Sequence, residues 1–199
     1  LITAMKKGIR SVICVNKIDL DESNHHKTIV EAYEKAGYKI LLISCKLETG
    51  FEKLKEILRD RYTAFAGQSG VGKSTILNKV MDSWVMETGE ISEKISRGKH
   101  TTRHAELLEL EYGGYVADTP GFSSFELNNI EHNELELYYP EFKEHIGLCK
   151  FTGCSHISEP GCSVKDALDK GMIDSGRYER YVHFYNTLKE NQGYKRKRR

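Results

Sequence analysis

Short apolar runs alternate with longer amphipathic stretches along most of the chain. The runs at residues 11–15, 40–43, 62–66 and 116–117 are rich in apolar and β-prone side chains, which is typical of buried strands. Helical spacing of apolar positions is found instead at residues 2–7, 27–36, 51–58 and 75–81. Strands that alternate with helices predict an α/β fold with a mainly parallel sheet and helices on both faces.

The composition changes after residue 121. Residues 121–147 contain six glutamates against one lysine, and residues 164–199 become helical, aromatic and finally basic. From Ser163 onward there are ten Lys and Arg against five Asp and Glu, although the whole chain has a net charge of only +1. We therefore predict a first domain of residues 1–125 and a small C-terminal domain of residues 126–199 with a helical, basic end.

The overall composition is that of an ordinary soluble protein. With 199 residues and 39% hydrophobic content, the chain can bury one substantial core and a smaller second one. No apolar run approaches the roughly 18 residues that a membrane span needs, and no signal peptide is visible. We expect a cytoplasmic protein that does not interact with membranes.

A glycine-rich segment directly follows the strand pattern at residues 62–66. It fits Gly-x-x-x-x-Gly-Lys-Ser and leads into a helical pattern, as a phosphate-binding loop requires. The glycines let backbone N–H groups turn toward phosphate oxygens, and the helix N-terminus adds partial positive charge. The alternative is a glycine-rich turn with an incidental lysine. The candidate nucleotide-binding residues here are Gly67, Gln68, Ser69, Gly70, Val71, Gly72, Lys73, Ser74 and Thr75.

Two of these side chains have distinct expected roles. Lys73 would bridge the β- and γ-phosphates of a nucleotide, and the Ser74 hydroxyl would ligate Mg²⁺.

A second motif, at the end of the strand pattern at residues 11–15, suits recognition of guanine. It consists of Asn16, Lys17, Ile18 and Asp19. The Asp19 carboxylate can accept both N1–H and the exocyclic amine of guanine, a donor pair that adenine lacks. Such a tetrapeptide alone often only closes a surface turn. A third strand pattern, however, ends in Ser44, Cys45 and Lys46, which resemble the Ser-Ala-Lys loop that supports guanine in GTPases.

A further strand pattern runs into an Asp-x-x-Gly sequence, in which Asp118 would hold Mg²⁺ through water and the Gly121 N–H would sense the γ-phosphate. Upstream, by analogy with other bacterial GTPases that have a Thr-Arg pair here, Thr102 is favoured as the second hydroxyl ligand of Mg²⁺, and Thr101 is the next candidate. The base-reading motif precedes the phosphate loop, the reverse of the order in ordinary GTPases. We therefore predict a circularly permuted P-loop GTPase domain, in which residues 51–61 link the old termini.

Three thiols and an imidazole lie within fourteen positions of the C-terminal domain. Thiolate and imidazole are the ligands that Zn²⁺ prefers, and three sulfurs with one nitrogen complete a closed, structural site. Disulfides are one alternative, and ordinary buried thiols, as we expect for Cys14 and Cys45, are another. The candidate zinc ligands are Cys149, Cys154, His156 and Cys162.

The helical end of the chain combines tyrosines with a basic tail. Lysine and arginine displace counterions from a nucleic-acid backbone, and aromatic rings can stack on bases. This favours contact with nucleic acid, while a solvated charged terminus is the alternative.

Taken together, these motifs resemble the circularly permuted ribosome-biogenesis GTPases of bacteria, the small-subunit-dependent GTPase A (RsgA, also called YjeQ) family. The resemblance covers nearly the whole chain and includes residues 88–92, 97–104, 118–122 and 177–181. It implies GTP hydrolysis stimulated by the 30S ribosomal subunit, a role in late small-subunit maturation, and contact with 16S ribosomal RNA.

Family members also carry an N-terminal OB-fold RNA-binding domain. Because the chain starts at Leu1 without an initiator methionine, we expect that part of the RNA-binding surface is absent.

The position that carries a water-orienting glutamine in Ras-like enzymes is Phe122, so intrinsic hydrolysis should be slow. The resemblance points to His100 as the catalytic group, and His104 is a weaker alternative. The other interpretation is that His100 is a solvent-exposed loop histidine without a role in catalysis.

We expect a monomer that binds GTP and GDP with Mg²⁺. The alternative function is a zinc-containing RNA-binding protein whose GTP site gates binding with little turnover. An ATP-dependent enzyme would leave Asn16, Lys17 and Asp19 unexplained.

Overall fold

The computed structural model describes residues 1–81, 106–118 and 130–197, without the side chains of Glu106, Asp118 and residues 194–197. The helices are α1 Ile2–Lys6, α2 His26–Lys35, α3 Phe51–Leu58, α4 Lys73–Val80, α5 Ser163–Asp169 and α6 Ser175–Lys197. The strands are β1 Val12–Val15, β2 Lys39–Leu42, β3 Tyr62–Ala64, β4 Glu106–Glu109 and β5 Tyr115–Asp118. Short 3-10 helices lie at Ile18–Leu20, His132–Tyr138 and Pro140–Phe142.

The strands form two hydrogen-bonded groups. One contains β1 and β2, and the other has the order β3-β5-β4. In the second group β3 and β5 are parallel, with Thr63 opposite Val116, whereas β4 is antiparallel to β5. Because parallel strands end at the same edge of a sheet, the loop after β3 and the end of β5 face the same side, where ligands of α/β proteins bind.

Strand β4 is the element that the apolar pattern did not predict. It has the sequence Glu-Leu-Leu-Glu, which fits neither a continuous apolar run nor strict alternation, and it returns to β5 through a turn that contains Gly113 and Gly114. The Leu110 N–H bonds to the Gly114 carbonyl across this turn. A Cβ on Gly114 would collide with the backbone of Leu58 and Arg61, so this hairpin requires a glycine.

The chain divides into two compact units. The central unit comprises Cys14–Ser23 and Leu41–Phe125, and the terminal unit comprises Leu1–Ile13, Asn24–Ile40 and Glu126–Arg199. The predicted boundary between residues 125 and 126 stays a prediction, since contacts group two N-terminal segments with the C-terminal part of the chain.

Helices α3 and α4 supply much of the buried surface of the central unit. Along α3 the apolar positions follow helical spacing, so that one face is buried and the other is charged. The buried apolar residues of this unit are Leu41, Ile43, Phe51, Leu54, Leu58, Ile76, Leu77, Val80, Leu110 and Val116.

The terminal unit has its own apolar core, to which α6 contributes Tyr181 and Leu188. Two of the candidate zinc ligands are members of this core. The buried residues are Ile130, Leu135, Tyr139, Phe142, Cys154, Cys162, Val164, Ala167, Ile173, Tyr181 and Leu188.

Over the described parts of the chain, no helix is both long enough and apolar enough to cross a bilayer.

Candidate functional site

The phosphate-loop sequence forms a turn between β3 and α4 in the central unit. Gly72 precedes the first residue of α4 and has a φ of 97°, a left-handed conformation that favours glycine. The Lys73 ammonium donates to the carbonyl oxygens of Gly67 (2.7 Å) and Gln68 (2.8 Å). Ser74 and Thr75 lie in the first turn of α4. The loop thus carries its lysine and hydroxyl groups at a helix N-terminus, as phosphate binding requires.

The base-reading motif contacts this loop directly. The side-chain amide of Asn16 donates to the Val71 carbonyl (3.0 Å), and the Lys17 ammonium donates to the Gly70 carbonyl (2.8 Å). A Cβ at Gly72 would displace the Asn16 amide from this contact, and the left-handed backbone also favours glycine there. Two motifs that lie more than fifty residues apart in the sequence therefore form one continuous surface.

Asp19 is positioned by the segment that begins at Ser44. It lies in the 3-10 helix Ile18–Leu20, and its Oδ1 accepts a hydrogen bond from the hydroxyl of Ser44, which is fully buried. The Ser44 oxygen also accepts the Leu47 N–H (3.1 Å), which closes a turn after β2. Ser44 therefore fixes one carboxylate oxygen of Asp19.

The neighbouring thiol reaches the same motif. Cys45 Sγ lies 3.8 Å from Asn16 Oδ1, and Lys46 is exposed beside it. Burial raises the pKa of the Cys45 thiol, so that it stays protonated at neutral pH.

An open cavity of about 460 Å³ joins the phosphate loop to the base-reading motif. This volume falls within the roughly 300–1,000 Å³ of small-molecule sites. Among the predicted residues, Asn16, Lys17, Ser69, Gly70, Val71 and Lys73 line it. Its other lining residues, which the motifs did not identify, are Cys14, Phe65, Ala66 and Ile76.

Cys14 is the unexpected member of this lining. We had expected a structural thiol, and burial does raise its pKa. Cys14 lies in β1, two residues before Asn16. Because side chains two residues apart in a strand point to the same face, this spacing was the one signal in the sequence that Cys14 could line the site.

Several predicted site residues lie outside the described part of the chain. Asp118 is the last residue of β5, but its side chain is not described. The remaining residues in this group are His100, Thr101, Thr102, His104, Gly121 and Phe122. Their roles stay predictions.

The four candidate zinc ligands converge in the terminal unit. Their ligand atoms lie within 4.8 Å of one another. Cys149 and Cys162 are 3.9 Å apart at sulfur, and His156 Nδ1 lies 3.5 Å from the first and 3.3 Å from the second. Two thiolates bound to one tetrahedral zinc would lie about 3.8 Å apart, so the cluster has the dimensions of a zinc site. All five cysteines are free thiols, which excludes a disulfide here.

Burial of this cluster favours protonated thiols when no cation is bound. Cys154 is 9% and Cys162 2% exposed. Burial raises the pKa of Cys154 to about 12 and raises the pKa of Cys162 as well. Because metal ligation requires thiolates, a cation that binds here must displace these protons.

The loop that carries His156 is fixed by residues that the motif did not reveal. The Glu159 carboxylate accepts the backbone N–H groups of Ser155 (2.9 Å), Ile157 (3.2 Å) and Ser158 (3.1 Å). Tyr178 donates its hydroxyl to the His156 carbonyl (2.6 Å).

Tyr181 supports the same loop from α6. Its hydroxyl donates to the Ser155 carbonyl (3.0 Å), and its side chain is 1% exposed. This tyrosine therefore packs under the metal cluster, where it cannot stack on the bases of a nucleic acid.

Comparison with known proteins identifies the family. The family model described as RsgA GTPase matches residues 1–128. The small ribosomal subunit biogenesis GTPase RsgA of Ruminiclostridium cellulolyticum is 60% identical over 198 residues, which cover 100% of this chain and 65% of that protein. The protein of the same name from Clostridium kluyveri is 43% identical over 98% of this chain and 67% of its own length. The chain thus spans about two thirds of the length of these relatives.

Comparison with solved structures identifies similar folds. YjeQ from Thermotoga maritima has a TM-score of 0.76 and 38% identity over 94% of this chain and 63% of its own. YloQ, described as a circularly permuted GTPase, has a TM-score of 0.76 and 34% identity over 96% of this chain and 61% of its own. These matches confirm the predicted fold class, and the cluster of three cysteines and a histidine can bind one zinc. The extent and identity of these matches show that the chain belongs to the RsgA GTPase family.

Proposed function

We propose that this protein hydrolyses GTP to GDP and phosphate, is stimulated by the 30S ribosomal subunit, and acts in late maturation of that subunit. The support is family membership together with relatives that are named small ribosomal subunit biogenesis GTPases. In this proposal the protein is a cytoplasmic monomer that contacts 16S ribosomal RNA. Residues 1–125 form its GTPase domain and residues 126–199 its zinc-binding domain.

The observation that carries the proposal is the single cavity that the phosphate loop and the base-reading motif share. Asn16 and Lys17 line it together with Lys73, and both also bond to the phosphate loop. An ATPase has no need of this second motif. Asp19 does not line this cavity, but it belongs to the same motif as Asn16 and Lys17, and in our proposal the ligand carries both phosphates and a guanine base.

Discrimination of the base follows from the charge of Asp19. Its carboxylate accepts two N–H groups from guanine but would face an acceptor nitrogen and a C–H on adenine. Ser44 already donates to one carboxylate oxygen, and this bond orients the group before any ligand binds. Such preorganisation reduces the cost of ordering the side chain on binding.

Phosphate binding depends on backbone N–H groups at the N-terminus of α4 and on Lys73. The Lys73 ammonium lies against the loop carbonyls, and in our proposal it turns from them to a phosphate oxygen when the nucleotide binds. Ser74, and in our proposal Thr102 and Asp118, would hold the Mg²⁺ that accompanies the nucleotide. Magnesium would neutralise charge on the β- and γ-phosphates.

Hydrolysis needs a group that orients water, because Phe122 cannot form a hydrogen bond through its side chain. We assign this role to His100 and the sensing of the γ-phosphate to Gly121. The assignment of His100 rests on the family resemblance, and that of Gly121 on the Asp-x-x-Gly motif.

The zinc-binding domain has a structural role in this proposal. Cys149, Cys154, His156 and Cys162 would occupy all four positions of a tetrahedral ion, which leaves none for substrate. Zinc bound there would supply folding free energy to the terminal unit.

Turnover of GTP, measured alone and during titration with purified 30S subunits, tests this function. We expect slow turnover that rises at least tenfold with subunits and that ATP does not inhibit. Lys73→Ala should abolish turnover, whereas Lys53→Ala, on the exposed face of α3, should leave it unchanged. Binding of GTP without stimulated turnover would favour the RNA-binding alternative, and tight binding of ATP would overturn guanine recognition.

A further inference from the structure

The two ring nitrogens of His156 face different partners. Nδ1 points toward Cys149 Sγ and Cys162 Sγ, at 3.5 and 3.3 Å. Nε2 lies 2.6 Å from the Glu136 carboxylate on the opposite side of the ring. The His156 side chain is 2% exposed and that of Glu136 is 24% exposed, so solvent competes little for the imidazole.

This arrangement determines which nitrogen can bind a metal. A carboxylate can only accept, so Nε2 must carry a proton to form this contact. In the neutral imidazole the lone pair then lies on Nδ1, the atom that faces the sulfurs. A hydrogen-bonded carboxylate also fixes the ring orientation of a ligating histidine.

The backbone of His156 is fixed independently of its ring. Its φ is +60°, its carbonyl accepts the Tyr178 hydroxyl, and Glu159 binds the N–H groups on either side, those of Ser155 and Ile157. Rotation of the imidazole about its side-chain bonds is the freedom that these contacts leave. Among the contacts described for His156, the one to Glu136 is the hydrogen bond that restricts this rotation on the side away from the thiols.

We propose that Glu136 is a positioning residue for the metal: it holds His156 in the Nε2–H tautomer, with Nδ1 directed at the ion. Glu136 belongs to the 3-10 helix His132–Tyr138, which precedes the first ligand, Cys149, by more than ten residues. Metal binding therefore also restrains this helix. The inference rests on the zinc site proposed above.

The experiment measures zinc affinity by competition with a chromophoric chelator on the full chain. Removal of an outer-shell carboxylate typically costs 10–100-fold in metal affinity. We expect a loss in this range for Glu136→Ala and a smaller loss for Glu136→Gln, whose amide oxygen still accepts the Nε2 proton. Glu131→Gln is the matched control, because it makes the same charge change at an exposed position beside the same 3-10 helix.

Two further measurements separate the possible failures. Tetrahedral cobalt bands with thiolate charge transfer, at one ion per wild-type chain, test the metal site itself. Hydrogen exchange over residues 130–138 should slow on zinc binding in the wild type and respond less in Glu136→Ala. If wild type binds one zinc but Glu136→Ala binds it within twofold as tightly, the positioning role is wrong. Equal destabilisation of metal-free and zinc-bound forms would also overturn it, since that is what a purely structural residue does.

Discussion

The side chains that recognise the base are positioned by partners distant in sequence. Asp19 and Ser44 are twenty-five residues apart, yet they form one hydrogen bond at the end of β1 and β2. The residue types of both segments could be predicted from their motifs. The bond itself could not, because it depends on which strands become neighbours.

We predict that Asp19→Asn lowers affinity for GTP about 10–100-fold, since a bidentate pair to a base contributes about 1–3 kcal/mol. The amide group introduced by this substitution would donate toward the exocyclic amine of guanine, which is also a donor. Xanthine has a carbonyl at this position of the base, which can accept from the amide. Titration with fluorescent GTP and competition by XTP measure both effects. Glu22→Gln, on an exposed position of the same segment, is the control. Equal losses for GTP and XTP would indicate misfolding of the loop rather than changed recognition.

Glu159 is a residue whose charge stabilises a loop. Burial acts to raise its pKa, but hydrogen bonds from the Ser155 hydroxyl and from backbone N–H groups outweigh burial and lower the pKa to about 2. A carboxyl whose folded-state pKa is depressed contributes stability above its unfolded pKa, near 4.5, and loses it as pH falls toward 2.

We therefore expect Glu159→Gln to reduce the free energy of unfolding by about 1 kcal/mol at pH 7, a value lowered by solvent screening. The difference from wild type should shrink between pH 4.5 and pH 2, the window set by the two pKa values. Urea unfolding of both proteins across this range measures it. Glu144→Gln, at an exposed position, should show no such dependence. A difference that stays constant with pH would contradict the ionic role.

At the scale of elements, α6 is anchored by a buried ion pair. Arg177 forms two hydrogen bonds to the Glu141 carboxylate, and the two side chains are 6% and 4% exposed. Its guanidinium also lies 4.7 Å from the ring centroid of Tyr33 and 5.3 Å from that of Tyr139. The pattern of α6 predicted a helix, but not that a cation at its start would be buried.

We predict that Arg177→Met destabilises the protein by about 3–5 kcal/mol, because it leaves the Glu141 charge buried without a partner. Combining it with Glu141→Met should recover much of this loss, since a neutral pair needs no compensation. Arg180→Met removes an exposed arginine one turn away, whose guanidinium lies 5.8 Å from the Tyr33 ring centroid, and should change the free energy of unfolding by less than about 1 kcal/mol. Chemical denaturation of the three variants measures these values. A double variant no more stable than Arg177→Met would show that packing, not charge, is responsible.

Most elements could be predicted because apolar spacing and local motifs define them. Helix α3 begins and ends at the predicted residues, and α2 is displaced by one residue. Strand β4 was not predicted because Glu-Leu-Leu-Glu is neither a continuous apolar run nor an alternating pattern, and its pairing with β5 depends on contacts across a hairpin. The 3-10 helix His132–Tyr138 was also not predicted. Its sequence carries no clear helical spacing, and it packs on the core through the buried Leu135.

At the scale of the whole molecule, the two units differ in how their cores are built. The central core consists of aliphatic and aromatic residues from α3, α4 and the strands. The terminal core includes Cys154 and Cys162, whose thiols belong to the metal cluster. The metal cluster could be predicted from the spacing of its cysteines and histidine, and the nucleotide site from its motifs at the ends of strands. The sequence could not predict that residues 24–40 group with the C-terminal segment, because that grouping depends on tertiary contacts.

This difference predicts separate responses to zinc removal. Structural zinc contributes about 10–16 kcal/mol of apparent binding free energy in small domains, as much as the whole stability of a typical protein. Without zinc, the buried thiols of Cys154 and Cys162 would be protonated and no ion would hold the ligands together, which would loosen the core around Phe142 and Tyr181. The central core contains none of the four ligands, so its folding does not depend on the ion.

We therefore expect a strong chelator to accelerate hydrogen exchange in residues 130–197 while exchange in α3 and α4 stays slow and GTP still binds. Mass-spectrometric exchange with and without chelator measures this, and readdition of zinc should restore the protection. The same chelator saturated with zinc beforehand serves as the control for effects that are unrelated to metal removal. If both units lose protection together, their stabilities are coupled and the ion stabilises the molecule as a whole. If neither changes, the apolar core of the terminal unit is sufficient without metal, and the thiols and His156 are merely buried there.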